Sequence, residues 1–311
     1  MKKRSKLLYA LALTLCLSIF FASSALLAVQ ARGNVETGRE ASLKLTYGYA
    51  GKTFEGLDIR IHRVANMFGN VDFELVDAFN DLPVELRGIK SQGEWKEVAS
   101  TLMGYVAADE IAPAAEKQTD SKGEVFFEGL TTGLYLVEGF KADTGDGYCL
   151  FESFMITLPG TDENEEWLYD VEALPKSSFA EYEEKEVDYK INKLWKDDGN
   201  EDKRPTVVEV DLYCDGKFAE TIFLSSENDW SYSWKSGERA IWTAIEKNVA
   251  EGYTVTVEQN GTGFLLTNTY DVPPPPGTGD FSSVYLAVAV MSLAGAVLVL
   301  FGLTRKKSEV K

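Results

Sequence analysis

Val187-Asp188-Tyr189-Lys190-Ile191-Asn192-Lys193-Leu194-Trp195 alternates with a period of two, the mark of a β-strand with one face in a core and one in water. Val187, Tyr189, Ile191 and Trp195 make the apolar face, and Lys193 sits on it. Lys190 takes the other face with Asp188 and Asn192, where lysines ordinarily lie. Two further strands carry the same exception: Phe264, Leu266 and Tyr270 share a face with Asn268, and Glu246 follows Trp242 and Ala244 on one side. A lysine, an acid and an amide thus stand where alternation says core. Burying them unpaired would cost several kcal/mol, so the three are expected to meet.

Desolvation favours a neutral amine on Lys193 and a neutral acid on Glu246. A neutral amine is a nucleophile, and a protonated carboxyl can polarise the Asn268 carboxamide and shuttle the proton as ammonia leaves. The product would be an amide joining the first and last strands, with proximity in a dry core lowering much of the barrier. The alternative is a buried salt bridge beside a satisfied amide.

Seven short strands, 187–195, 206–214, 218–225, 230–234, 240–246, 253–258 and 264–270, predict an Ig-like Greek-key sandwich over 187–271. Residues 32–175 read as a second sandwich, with strands near 42–49, 57–64, 124–127, 133–138, 148–156 and 167–174. One helix interrupts it: Ser91 and Glu94 make a capping box, and Trp95, Val98, Leu102 and Tyr105 share a face. Residues 176–186 are polar and charged and read as a linker. The expected fold class is therefore all-β, two sandwiches in tandem with a helical insertion in the first.

Asn192 to Asn200, Lys203-Arg204-Pro205, Trp242 to Glu246 and Thr267-Asn268-Thr269-Tyr270 resemble the collagen-adhesin B-type (Cna-B) repeat across the whole of 187–271. The resemblance implies a prealbumin-like sandwich and an intramolecular isopeptide bond between Lys193 and Asn268, with Glu246 as the catalytic acid. Gly129-Leu130 and Gly133 to Glu138 resemble the N-terminal domain of Gram-positive pilins, where Glu138 matches the acid of the E-box motif, its partner open. No cross-link is carried to that domain, because Lys44 shares the polar face with Ser42 and Thr46 and Leu174 stands where the family has Asn. Trp167 to Lys176 resembles the pilin motif Trp-x3-Val-x-Val-Tyr-Pro-Lys, matching at Trp167, Val171, Pro175 and Lys176. The resemblance makes Lys176 the nucleophile that joins subunits; an ordinary solvated lysine is the alternative.

Both ends read as address labels. Residues 1–31 have a basic start, an apolar core and Val29-Gln30-Ala31 before Arg32, as in a signal peptide. Pro275-Pro276-Gly277-Thr278-Gly279 resembles the Leu-Pro-x-Thr-Gly sorting signal, with Pro275 for Leu, and places sortase cleavage between Thr278 and Gly279. It closes a proline spacer, 272–280. The segment 281–311 carries an apolar run of about 19 residues and a basic tail, as a transmembrane anchor does. A plain membrane anchor on a proline stalk is the alternative.

The whole chain carries a net charge of −18, with 31 Lys+Arg and 49 Asp+Glu. Without the two ends eight basic and two acidic residues go, and 23 against 47 leaves −24, which excludes nucleic acid as a partner. Cys149 and Cys214, one in each sandwich, read as buried thiols. The single histidine, His62, alternates with Asp58 and Arg60 on what reads as a polar face. Asp198, Asn200 and Asp202 lack the distal acid of a calcium loop and read as a solvated turn. No metal, cofactor or catalytic triad is expected. The reading is a sortase-processed surface protein and not an enzyme, a pilus subunit with sortase, other pilin subunits and a peptidoglycan precursor as partners. A monomeric adhesin for a host or matrix ligand is the alternative, and a surface enzyme a more distant one.

Overall fold

The computed structural model describes residues 33–69, 71–181, 185–237 and 240–270. The expected signal peptide, proline spacer, sorting signal with Pro276, Thr278 and Gly279, and transmembrane segment lie outside the described residues. Among those described, no helix is long and apolar enough to cross a membrane.

The first half is built on β1 (Ala41–Thr46), β2 (Asp58–Phe68) and β3 (Asp72–Leu75), then helix α1 (Gln92–Ala108). There follow β4 (Ala115–Gln118), β5 (Glu124–Leu130), β6 (Gly133–Val137), β7 (Phe140–Asp143), β8 (Gly147–Phe151), β9 (Phe154–Leu158), β10 (Asp170–Ala173) and β11 (Ser177–Glu181). β1 lies between a parallel β10 and an antiparallel β5. A second sheet runs β9-β6-β2-β3 with β4 also on β2, and a third runs β11-β8-β7. Leu43, Leu45, Ile59, Ile61, Phe127, Tyr135 and Val137 fill the space between the layers.

The other face of the β2-β6 sheet is also covered. Val64, Leu134 and Leu136 share a core with Phe79, with Val98, Leu102 and Tyr105 of α1, and with the second half. A strand buried on both faces needs apolar residues at every position, which is why Gly133 to Val137 is buried throughout. It also corrects the reading of His62, which is 1% exposed. Alternation gave its face correctly, but that face carries Phe79 edge-on to the imidazole at 6.3 Å instead of water. Glu138, whose partner was open, has its Oε1 2.6 Å from His62 Nε2.

The second half has β12 (Glu186–Lys196), β13 (Val207–Cys214), β14 (Lys217–Ser225), β15 (Ser231–Gly237), β16 (Trp242–Glu246), β17 (Tyr253–Asn260) and β18 (Gly263–Tyr270). They make two sheets, β15-β12-β18-β17 and β14-β13-β16, as the seven expected strands require. The first and last strands, β12 and β18, lie side by side and parallel.

Residues 177–181, read as linker, form β11 on the edge of β8. An edge strand needs few apolar side chains, and here Phe179 suffices, stacking on Tyr49 at 5.8 Å. Cys149 is buried and Cys214 half-buried, both as free thiols. The 197–204 turn is held by Asp197, which accepts from Arg204 Nε at 2.6 Å and Nη2 at 2.7 Å and from the Tyr253 hydroxyl at 3.0 Å.

α1 ties the halves together. The Ser91–Glu94 capping box starts it, as the sequence predicts. It then packs on β9 from one side and on β16 and β17 from the other. Glycine at 104 permits a close approach: a Cβ there would lie 3.0 Å from the Ala244 carbonyl oxygen, and the two elements would have to shift by a few tenths of an ångström to admit it. The outer edge of β17 is closed by the first half: Val255 N donates to Pro83 O and Val257 N to Thr101 Oγ1, both at 2.8 Å. Thr101→Val keeps the shape and strands the Val257 amide, so urea unfolding should show a loss of about 1–3 kcal/mol. An unchanged midpoint would mean that this edge does not depend on α1.

Candidate cross-linking site

The three core exceptions come together. In the parallel register Lys193 pairs with Leu266 and Trp195 with Asn268, which puts the lysine and the amide on neighbouring strands of one sheet. Glu246 comes from β16 in the facing sheet, opposite Val210 of β13. Side-chain exposure is 0% for Lys193 and 1% for Glu246, and Asn268 is fully buried.

Glu246 bridges the other two. Its Oε1 accepts from Asn268 Nδ2 at 2.9 Å, and its Oε2 lies 3.7 Å from Lys193 Nζ. The latter distance is too long for a hydrogen bond; the amine instead donates to the Leu194 carbonyl at 3.3 Å. Trp195 roofs the amine, its ring centroid 4.1 Å from Nζ. The sequence marked Trp195 only as an apolar residue. Its indole stands in turn against Trp230 and Tyr253, with centroids at 5.6 and 5.4 Å.

Burial decides the charge state. It pushes the Glu246 carboxyl up, against the opposing pull of Lys193 and the Asn268 hydrogen bond. It pushes the Lys193 amine down to about 8, although Glu246 and Asp197 act the other way. Both shifts favour the neutral pair, an amine with a free electron pair and a carboxyl with a proton. Glu246 Oε2 and Asn268 Oδ1 have no hydrogen-bond partner among the described residues. Turning the amide about its Cβ–Cγ bond puts Oδ1 against a protonated carboxyl, which then donates to it and makes Cγ electrophilic.

Lys176 stands apart, exposed between β10 and β11, with its carbonyl accepting from Glu152 N at 3.3 Å. Among the described residues no group of three or more His, Cys, Asp or Glu side chains could hold a metal ion. Asn200, in the 197–204 turn, donates its Nδ2 to the Asp197 carbonyl at 2.7 Å.

Residues 189–269 match the family model of the Cna protein B-type domain. The collagen adhesin of Staphylococcus aureus is 34% identical over 94 residues, a match that spans 28% of this chain and 8% of the adhesin. Among solved structures, a single B repeat unit of the S. aureus collagen-binding surface protein aligns with 75% of this chain and 99% of its own at 17% identity and a TM-score of 0.27. The full-length major pilin SpaD of Corynebacterium diphtheriae aligns with 76% of this chain and 66% of its own at 16% identity and a TM-score of 0.29.

The shifted lysine gives a pH test on Asn268→Ala, in which nothing is left to react. Native Lys193 binds its proton less tightly than the unfolded chain does, so between about 8 and 10.5 the unfolded state holds more protons. Stability therefore rises with pH across that window. The urea midpoint of Asn268→Ala, less that of Asn268→Ala/Lys193→Met, should climb from pH 8 to 10; a flat difference would mean that the lysine is hydrated.

Proposed function

We propose, from the match of residues 189–269 to the family model of the Cna protein B-type domain, that the protein is a sortase-processed surface structural protein, a pilus subunit locked by an autocatalytic Lys193–Asn268 isopeptide bond. The observation that carries the reading is the contact of Lys193, Glu246 and Asn268 in a sealed core. Lys193 Nζ attacks Asn268 Cγ, an amine proton passes by way of Glu246 to Nδ2, and ammonia departs. Glu246 ends as it began and acts once, so this site turns over no substrate. Lys176, exposed and next to Pro175, is the amine offered to the acyl-enzyme that a sortase forms at Thr278 of another subunit. The partners are then a sortase, other pilin subunits and, at the base, a peptidoglycan precursor. The site of action is the cell surface, reached by export and held by the wall. Likeness to a collagen adhesin favours a second reading, a monomeric wall-anchored adhesin, over the same stretch.

Intact mature protein should weigh one ammonia less than its sequence, and Lys193→Ala or Glu246→Ala should restore the full mass. Wild type at full mass would contradict the bond. Closing so long a loop restricts the unfolded chain by about 4 kcal/mol, so either variant should also melt well below wild type.

Lys176 separates subunit from solitary adhesin. Lys176→Arg keeps the charge but supplies no amine that can be acylated. Wall extracts of cells carrying it should show a single anchored band, while Lys185→Arg should give the same high-mass ladder as wild type. A ladder from Lys176→Arg would remove this lysine from assembly.

A further inference from the structure

α1 belongs to the first half by sequence, yet part of its surface lies in the core of the second. β16 ends one sheet of the second sandwich and β17 ends the other. By packing on both, α1 closes the side of that sandwich from which the cross-linking residues would otherwise meet water. Leu102, Tyr105 and Val106 share a core with Ala244, Ile245, Val255 and Val257. Tyr105 follows Gly104, the residue seated on the Ala244 carbonyl, and Glu246 is two residues beyond Ala244 on the same strand.

The Tyr105 hydroxyl is buried and has no hydrogen-bond partner among the described residues, and the same holds for Glu246 Oε2. Packing asks only for the ring. A buried hydroxyl left unpaired costs about 1–3 kcal/mol relative to phenylalanine, so a partner for it is expected. The two groups lie within electrostatic reach: after burial, Glu246 in its ionised form is the next cause that pushes the Tyr105 hydroxyl pKa up. Lys193 from β12 and Asn268 from β18 contact Glu246, and Tyr105 of α1 lies within its electrostatic reach.

Resting on the cross-link reading above, we propose that Tyr105 is a positioning residue for that reaction, its hydroxyl supplied from the first half to hold the Glu246 carboxyl with Oε1 on Asn268 and Oε2 toward Lys193. In the step, the Nζ–Cγ bond forms and the Cγ–Nδ2 bond breaks. One proton moves from Nζ through Glu246 to Nδ2, and ammonia leaves. The hydroxyl and Oε2 are not hydrogen-bonded to one another in this structure; in the reacting arrangement Tyr105 moves onto Oε2, donates to it and keeps its proton throughout. The bond in the second half then forms at full rate only after α1 has docked, so the cross-link records correct assembly of both halves.

The test follows intact mass against time after cell-free synthesis of the full chain, as wild type, Tyr105→Phe and Tyr105→Leu. Unfolding midpoints are measured for the same substitutions in Lys193→Ala chains, where no bond can form. Tyr105→Leu should lower the midpoint and slow ammonia loss. Tyr105→Phe should restore the midpoint but lose ammonia about tenfold more slowly than wild type, the scale of one hydrogen bond made in the transition state. Tyr105→Phe reacting at the wild-type rate would overturn the proposal and leave the cross-link intact. Wild type that never loses ammonia would instead overturn the cross-link reading itself, and no variant would then change mass.

Discussion

A lysine amine and a carboxyl held out of water beside one another have few stable arrangements. As ions they lose hydration worth several kcal/mol each, and a pair distance of 3.7 Å with one oxygen unpaired recovers little of it. As neutral groups they lose less, and the amine becomes reactive. The placement of β12, β16 and β18 follows from this. The first and last strands must be neighbours and parallel to bring Lys193 alongside Asn268, and the facing sheet must deliver Glu246 across the core. Trp195 and its aromatic neighbours keep the amine under a ring and away from solvent. An amide between β12 and β18 would remove the buried amine and the half-satisfied carboxamide together, so core stability and chemistry point the same way.

The second constraint is the common core. The sandwiches are consecutive in sequence, but α1 and the 79–86 segment are enclosed between them with apolar side chains from each. The outer edge of β17, which would otherwise invite pairing with another chain, receives the Pro83 carbonyl and the Thr101 hydroxyl instead. Lys141 of β7 reaches Asp215 beyond β13 at 2.7 Å, adding an ion pair across the same junction. Changes in α1 therefore reach the second half directly.

Much of this was legible in the residues. Period-two alternation marked the seven strands of the second half, and the same alternation exposed Lys193, Glu246 and Asn268, because a charged or amide residue on an apolar face is informative in a way that an apolar one is not. The capping box placed α1. What alternation could not show is which faces a second layer covers. His62 lies on the face that also bears Asp58 and Arg60, both exposed, and only the arrival of Phe79 buries it. The unbroken apolar run at Leu134-Tyr135-Leu136-Val137 was the available signal of two-sided burial. β11 was missed because an edge strand can form on backbone pairing and one ring. Tyr105 was legible as a core residue on a helix face, but its electrostatic coupling to Glu246 arises from packing of α1 on β16, between residues far apart in the chain.

The most direct measurement is peptide mapping of the mature protein by tandem mass spectrometry after complete digestion. A cross-linked core gives one branched species in which the peptide containing Lys193 is joined to the peptide containing Asn268, with a mass one ammonia below the sum of the two. Recovery of both as separate linear peptides at full mass would contradict it.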